Sequence, residues 1–209
     1  MITFDRNAYD GFIFDCDGTL ADSMPLHYRA WSETLDAKLG RTSDFTEELF
    51  YRCGGMPPRE IIEKLNREFG YTLDPLKTAD EKEERFMELL PHIGPIPEVI
   101  AVLEELGPEA KVAVASGGHT NIVSQTLTHL GIPVGPQAVI KFVIGADQVT
   151  HGKPHPMLFL RAAERLGVTP ARSLVFEDAG PGFAAAQAAG MACIDVRPFR
   201  GNIHAAARY

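Results

Sequence analysis

Phe12-Ile13-Phe14-Asp15-Cys16-Asp17-Gly18-Thr19-Leu20 is the stretch from which the fold can be read. A short apolar run of strand length ends in two carboxylates at i and i+2, followed at once by a glycine turn and a hydroxyl. The carboxyl end of a strand in a parallel sheet is where such folds bind ligands. One carboxylate there can attack as a nucleophile while its neighbour moves protons. The plainer reading is a strand closed by an ordinary Asp-Gly turn. That reading leaves Asp15 idle at the end of a buried strand, where an unpaired charge is costly.

Outward from this stretch, short apolar runs alternate with amphipathic segments, which predicts parallel strands joined by helices. The strand candidates are residues 11–15, 111–115, 142–145, 173–177 and 192–196. All but the third are nearly continuous in apolar residues, as strands covered on both faces are. Leu106-Gly107, Leu130-Gly131 and Leu166-Gly167 each close a helical stretch with a left-handed cap. The expected fold class is α/β, a doubly wound, Rossmann-like parallel sheet. Residues 24–92 break the alternation: they read as helical and rich in charge, with Pro25 starting one helix and the segment Pro91 to Pro97 bringing the chain back. The expected organisation is a core of residues 1–23 and 93–209 with an inserted α-helical cap of residues 24–92. The run Glu81-Lys82-Glu83-Glu84-Arg85 reads as a solvated helix face.

The chain has 209 residues, 45% hydrophobic and 23% charged, which suits one folded domain with a modest insertion. A net charge of -8 without a Lys/Arg cluster argues against a nucleic-acid partner. Cys16, Cys53 and Cys193 match neither a paired framework nor a CxxC metal spacing, so reduced thiols are expected. Neither a signal-peptide pattern nor an apolar run near the ~20 residues of a membrane span is present. A cytoplasmic protein without membrane partners is expected, as a monomer or weak homo-oligomer.

Three further segments carry chemistry. Ala113-Val114-Ala115-Ser116-Gly117-Gly118 puts a hydroxyl and flexible backbone at a strand end before a helix, where main-chain N–H groups suit an anion. Gly152-Lys153-Pro154 places a lysine just before another helix. Val175-Phe176-Glu177-Asp178 ends a strand in two adjacent acids, and buried paired acids need a cation. Alone, the serine and the lysine read as a common turn and a surface charge.

In this order, Asp-x-Asp-Gly-Thr, then Ser, Lys-Pro and Glu-Asp, each at or after a strand end, the chain resembles the haloacid dehalogenase superfamily over nearly its whole length. Its cap position resembles the members with a small helical cap, the group of beta-phosphoglucomutase and the sugar phosphatases near it. The resemblance implies a phosphoric monoester hydrolase in which Asp15 attacks phosphorus and Asp17 protonates the leaving oxygen, then activates water. It implies that Ser116 and Gly117 hold phosphate oxygens and that Lys153 bridges phosphate and Asp15. It also implies Mg2+ held by Asp15, the Asp17 carbonyl, Asp178 and Glu177. The charges agree: a phosphate monoester carries about -1.5 to -2, so an anionic nucleophile needs cations beside it. Cys16 faces away from both acids on an extended strand and is expected only to pack.

The same resemblance places His27 near Asp17. Relatives that bind a second phosphate carry Lys-Gly-x-x-Arg in the cap, whereas this chain reads Arg52-Cys53-Gly54-Gly55-Met56-Pro57-Pro58-Arg59. Aligned on Gly54, Cys53 replaces the lysine; aligned on Gly55, Gly54 replaces it and Pro58 replaces the arginine. Arg59 either touches substrate or decorates a helix start. The resemblance therefore favours a sugar phosphatase, with a substrate such as fructose 1-phosphate. A beta-phosphoglucomutase using the same aspartate is the alternative. A non-catalytic phospho-aspartate sensor is more remote, since Asp17 would serve no purpose in it. A dehalogenase fits the Glu177-Asp178 pair poorly.

Overall fold

The computed structural model describes residues 1–54 and 56–200. Among these, the strands β1 (Gly11–Phe14), β2 (Val112–Ala115), β3 (Ile140–Ile144), β4 (Ser173–Glu177) and β5 (Ala192–Asp195) form one parallel sheet in the order β3-β2-β1-β4-β5. The helices are α1 (Met24–Leu39), α2 (Glu47–Arg52), α3 (Pro58–Phe69), α4 (Pro75–Leu89), α5 (Pro97–Leu106), α6 (Thr120–His129), α7 (Met157–Leu166) and α8 (Gly180–Ala188). The fold is the expected doubly wound α/β sheet.

The central place of β1 follows from its composition, since every residue in it is buried. Phe12 and Phe14 pack on one face with Val112, Val114 and Phe176 against Val102, Leu103 and Leu127 of α5 and α6. Ile13 faces the other way, with Ala113 and Val175, onto Leu158, Phe159 and Ala185 of α7 and α8. Phe14 and Phe176 stack with ring centroids 4.3 Å apart and planes at 3°. Full burial of each such side chain contributes about 1.5–3 kcal/mol.

Two strands depart from the sequence reading. β3 begins at Ile140, two residues earlier than expected, where it pairs with Val112; Lys141 is accommodated in it by sending its Nζ to the carbonyls of Pro108 and Ala138 at 2.5 and 2.9 Å. A lysine inside the strand hid its start. β5 is half-buried along its length, being the sheet's edge and not a strand covered on both faces.

Residues 24–92 hold α1 to α4, three of which carry proline in their first turn, where its missing N–H costs nothing. Trp31, Leu35, Phe45, Phe50, Ile62 and Leu65 form a hydrophobic cluster of their own there. Ala30, Phe86 and Leu89 from the same stretch instead join the core under the sheet. The chain leaves and re-enters the sheet region side by side: Asp22 N donates to Gly94 O, and Ile96 N to Leu20 O, both at 2.9 Å. Among the described residues, no helix is long and apolar enough to cross a membrane.

Candidate active site

Sheet register brings the chemistry together. Phe14 lies opposite both Val114 and Phe176, so the residues that follow them emerge at one edge of the sheet. Asp15 N donates to Phe176 O and Ser116 N to Ile144 O, both at 3.0 Å, which carries the strand pairing one residue beyond β1 and β2. Asp15, Asp17, Ser116, Gly117, Lys153, Glu177 and Asp178 all line one cavity of about 120 Å3.

Lys153 comes in from the loop before α7 and is buried. Its Nζ donates to Asp15 Oδ1 at 2.7 Å and to Glu177 Oε1 at 2.6 Å. The other Glu177 oxygen, Oε2, accepts from the main-chain N–H groups of Asp178 and Ala179 at 2.6 and 2.7 Å. Both Glu177 oxygens are therefore engaged by the protein, and the carboxylate acts as a bracket between Lys153 and the start of α8. Gly182 makes room for it, because a Cβ there would run into the Glu177 carboxylate.

Asp178 Oδ2 pairs with Arg200 Nη2 at 2.5 Å, and Oδ1 lies 3.4 Å from Thr19 Oγ1, which donates to it. Gly18, at φ 79, could not be another residue: a Cβ would strike the same Asp178 carboxylate, and L side chains rarely adopt that φ. The Asp-Gly turn thus bends the chain over the acid that lies 160 positions further on.

Burial pushes the Asp15 carboxyl well above its usual range; Lys153 opposes this, while Glu177, Asp178 and Asp17 add to it. Burial likewise lifts Asp178 to about 6 against the pull of Arg200, with Glu177 adding to the rise. Burial works against the charge of Lys153, but Asp15 and Glu177 outweigh it and hold the lysine above its usual range. Asp15, Glu177 and Asp178 place carboxylate oxygens within 4.8 Å of one another, all buried. Three buried acids against Lys153 and Arg200 leave negative charge unmatched, and the donors are hard oxygens. This set fits a divalent cation such as magnesium. Asp15 and Asp178 are the better donors, since Glu177 is held at both oxygens at 2.6 to 2.7 Å, whereas Asp178 Oδ1 meets Thr19 at the longer 3.4 Å.

Asp17 has different company. Ser23 Oγ donates to its Oδ1 at 2.6 Å, and His27 Nε2 lies 3.0 Å from the same oxygen. Ser23 precedes α1 yet makes no side-chain cap bond with the helix, because its hydroxyl is turned to Asp17. Burial would raise the Asp17 carboxyl, but His27 and Ser23, which donate to it, and the charge of Lys82 hold it below its usual range. Two donors on one oxygen, Ser23 Oγ and His27 Nε2, favour the ionised form of Asp17. Its Oδ2 lies 3.5 Å from Ser116 Oγ, which faces the same cavity.

Behind His27 stands Lys82, 2% exposed, with Nζ 2.9 Å from His27 Nδ1 and 3.0 Å from Glu83 Oε1. It corrects the reading of the charge run on α4 as a solvated face. Thr78, Ala79, Lys82, Phe86 and Leu89 are the buried positions of α4, so Lys82 lies on the inward stripe. The 3–4 spacing was the available signal, masked by the charges on either side. Ser23, Lys82, Glu83 and Arg200 are the site residues that sequence reasoning missed. Ser23 and Arg200 carried no motif.

Arg59 stands apart. It opens α3 on the surface, gives its Nε to Glu63 at 2.8 Å, and is not among the residues lining the cavity. Cys53 and Gly54 do line it, at the place where a second-phosphate clamp of the kind described above would need a lysine. The alternative alignment on Gly55 falls outside the described residues. Cys16 is fully buried in the core, and burial, Asp17 and Asp15 push its thiol well up, in keeping with a packing role.

The model of the haloacid dehalogenase-like hydrolase family matches residues 12–196. The chain belongs to that family. As a haloacid dehalogenase-like hydrolase it is 37% identical to the fructose-1-phosphate phosphatase of Escherichia coli over 90% of this chain and 97% of that protein. It is 30% identical to a phosphorylated carbohydrates phosphatase of Thermotoga maritima over 87% of this chain and 82% of the relative. Among solved structures, a beta-phosphoglucomutase of Clostridium difficile superposes with a TM-score of 0.76 at 27% identity, covering 90% of this chain and 84% of that one. The chain is thus similar to proteins of both kinds that the sequence raised.

Proposed function

We propose that the protein is a magnesium-dependent phosphatase of a compact sugar phosphate such as fructose 1-phosphate, working through a phosphorylated Asp15. The observation that carries this reading is the contact of Lys153 Nζ with Asp15 Oδ1 at 2.7 Å inside a buried acidic cavity. An aspartate there is held toward the cavity by a cation that also meets the phosphate. The names of the phosphatase relatives support the substrate class.

Asp15 attacks phosphorus, and its bond to phosphorus forms as the bond to the sugar oxygen breaks. Ser116 Oγ and the Gly117 main chain hold non-bridging oxygens, and Lys153 matches their charge. Magnesium, held by Asp15 and Asp178 with the Asp17 carbonyl, supplies counter-charge and polarisation to the phosphoryl group when bound. Glu177 keeps Lys153 and Asp178 in place. The incoming phosphate brings about -1.5 to -2 charge beside Asp17, which raises its proton affinity, so that Asp17 takes up a proton from solvent as the substrate binds and gives it to the leaving oxygen. Once the sugar has left, Asp17 takes the proton of the water that attacks the acyl phosphate. His27 and Ser23 hold its carboxylate for that second step. Residues 24–92 act as a cap that closes this chamber.

The mutase reading keeps support from the His27–Asp17 contact, which serves either chemistry. It is weakened by the cap wall, where Cys53 and Gly54 stand and Arg59 points outward. Phosphate release from fructose 1-phosphate, glucose 1-phosphate and glucose 6-phosphate, with and without chelator, tests the proposal. Free phosphate that requires magnesium supports it. Conversion of glucose 1-phosphate to glucose 6-phosphate, dependent on a bisphosphate and without phosphate release, replaces it with the mutase.

A further inference from the structure

Arg200 lies beyond residue 196, where the match to the family ends, yet it touches one of the acids on which the chemistry rests. The fold fixes it there. Val196 N donates to Glu177 O at 2.9 Å, which ties the end of β5 to the end of β4. A 3-10 turn over Arg197–Phe199 follows, and Phe199 packs on the core. Arg197 is drawn off to Asp195, so the cation turned inward is Arg200. It is 5% exposed, with Nη2 at 2.5 Å from Asp178 Oδ2.

Each acid of the buried cluster has an oxygen already taken. Lys153 holds Asp15 Oδ1 and leaves Oδ2. Glu177 is held at both oxygens, by Lys153 and by two main-chain N–H groups. Arg200 holds Asp178 Oδ2, and Oδ1 keeps only the longer contact of 3.4 Å with Thr19. An incoming ion thus finds one oxygen on Asp15 and one on Asp178, and neither acid can close on it with both. Magnesium needs no more, since it binds through one or two carboxylates and keeps several waters in a tight octahedron. Calcium takes about six to eight oxygens and gains from carboxylates that bind through both. Arginine suits the task, because its charge is permanent and its planar fork keeps a fixed direction toward a carboxylate.

We propose that Arg200 makes the site selective for magnesium over calcium, by holding Asp178 Oδ2 so that Asp178 offers a metal a single oxygen. This rests on the magnesium reading of the site and deepens it. The positive charge of Arg200 weakens the binding of either ion to a like extent, since both carry two charges. The difference between the two ions therefore reports the oxygen and not the charge.

Isothermal titration of the chelator-treated protein with magnesium chloride and with calcium chloride tests this on wild type, Arg200→Met and Arg200→Lys, with thermal melts to check folding. Wild type binds magnesium more tightly than calcium. In Arg200→Met the ratio of the calcium Kd to the magnesium Kd falls about ten-fold or more, the size of effect that partners of metal ligands have. Arg200→Lys, which still offers Oδ2 a donor, stays closer to wild type. An unchanged ratio in Arg200→Met overturns the proposal, even if both ions bind more tightly. A wild type that binds calcium as tightly as magnesium overturns it too, and that measurement stands should Arg200→Met fail to fold. Either result leaves the magnesium reading in place; a wild type that binds neither ion overturns both.

Discussion

Lys82 Nζ lies 2.9 Å from Nδ1 of His27, a contact made across 55 positions of sequence from one helix of the cap region to another. An ammonium has only donors, so Nδ1 must accept, and the ring proton sits on Nε2, which donates to Asp17. His27 also stacks on Phe86, with centroids 3.8 Å apart and planes at 5°, which fixes the plane of the ring. Lys82 thus sets the tautomer through which His27 holds the acid/base carboxylate.

Replacing Lys82 with methionine should keep the packing volume but free Nδ1. We expect kcat to fall about 10- to 100-fold, a part of the ~10²–10⁴ that acid–base catalysis contributes, with KM changed less. Steady-state kinetics together with a melting curve checks this. An unchanged kcat would mean that His27 needs no partner at Nδ1.

Metal binding should depend on pH with a defined sign. The folded Asp178 carboxyl sits at about 6, against about 3.9 in an unfolded chain. Between those values the folded protein binds more protons, so metal-free stability falls as pH rises through that window, by on the order of 2–3 kcal/mol in full. Asp15, also raised, acts in the same direction. Magnesium favours the ionised form, so the gain in Tm from saturating magnesium should be larger near pH ~7.5 than near pH ~4.5. Equal gains at both would remove Asp178 from the metal site.

A single methyl group tests the Glu177 bracket. Gly182→Ala forces a Cβ into the Glu177 carboxylate and should destabilise the protein by about 1–3 kcal/mol while lowering kcat. Gly180→Ala, two residues earlier, meets nothing within 4 Å and is the control. Denaturant melts of the two variants compare them. Equal effects would mean that Glu177 shifts freely.

Arg59 gives the opposite expectation. Arg59→Ala should leave KM for a sugar phosphate within about two-fold, because the side chain is on the surface beside Glu63 and off the cavity. A KM raised ten-fold or more would restore it as a substrate contact.

The sheet and the acids at its edge were legible because their evidence is local. Phe12-Ile13-Phe14 reads as a buried strand by composition, and Asp15 and Asp17 follow directly on it. Lys82 was not, since a lysine among glutamates has the same composition whichever way the helix turns; only the packing of α4 shows that it faces inward. Ser23 was hidden because its hydroxyl serves a carboxylate six residues back and not the helix it precedes. Arg200 meets Asp178 only through the fold. The start of β3 was obscured by Lys141, whose charged end leaves the strand for loop carbonyls.

The most direct test of the central claim is to find the phosphate on the protein. Asp17→Asn, mixed with magnesium and p-nitrophenyl phosphate, whose leaving group departs without a proton from Asp17, is quenched in acid and mapped by peptide mass spectrometry, with Asp15→Asn beside it. The account predicts a hydroxylamine-labile phosphate on Asp15, its accumulation when Asp17 cannot activate water, and neither label nor turnover in Asp15→Asn. A phosphate on any other residue, or wild-type turnover by Asp15→Asn, would contradict it.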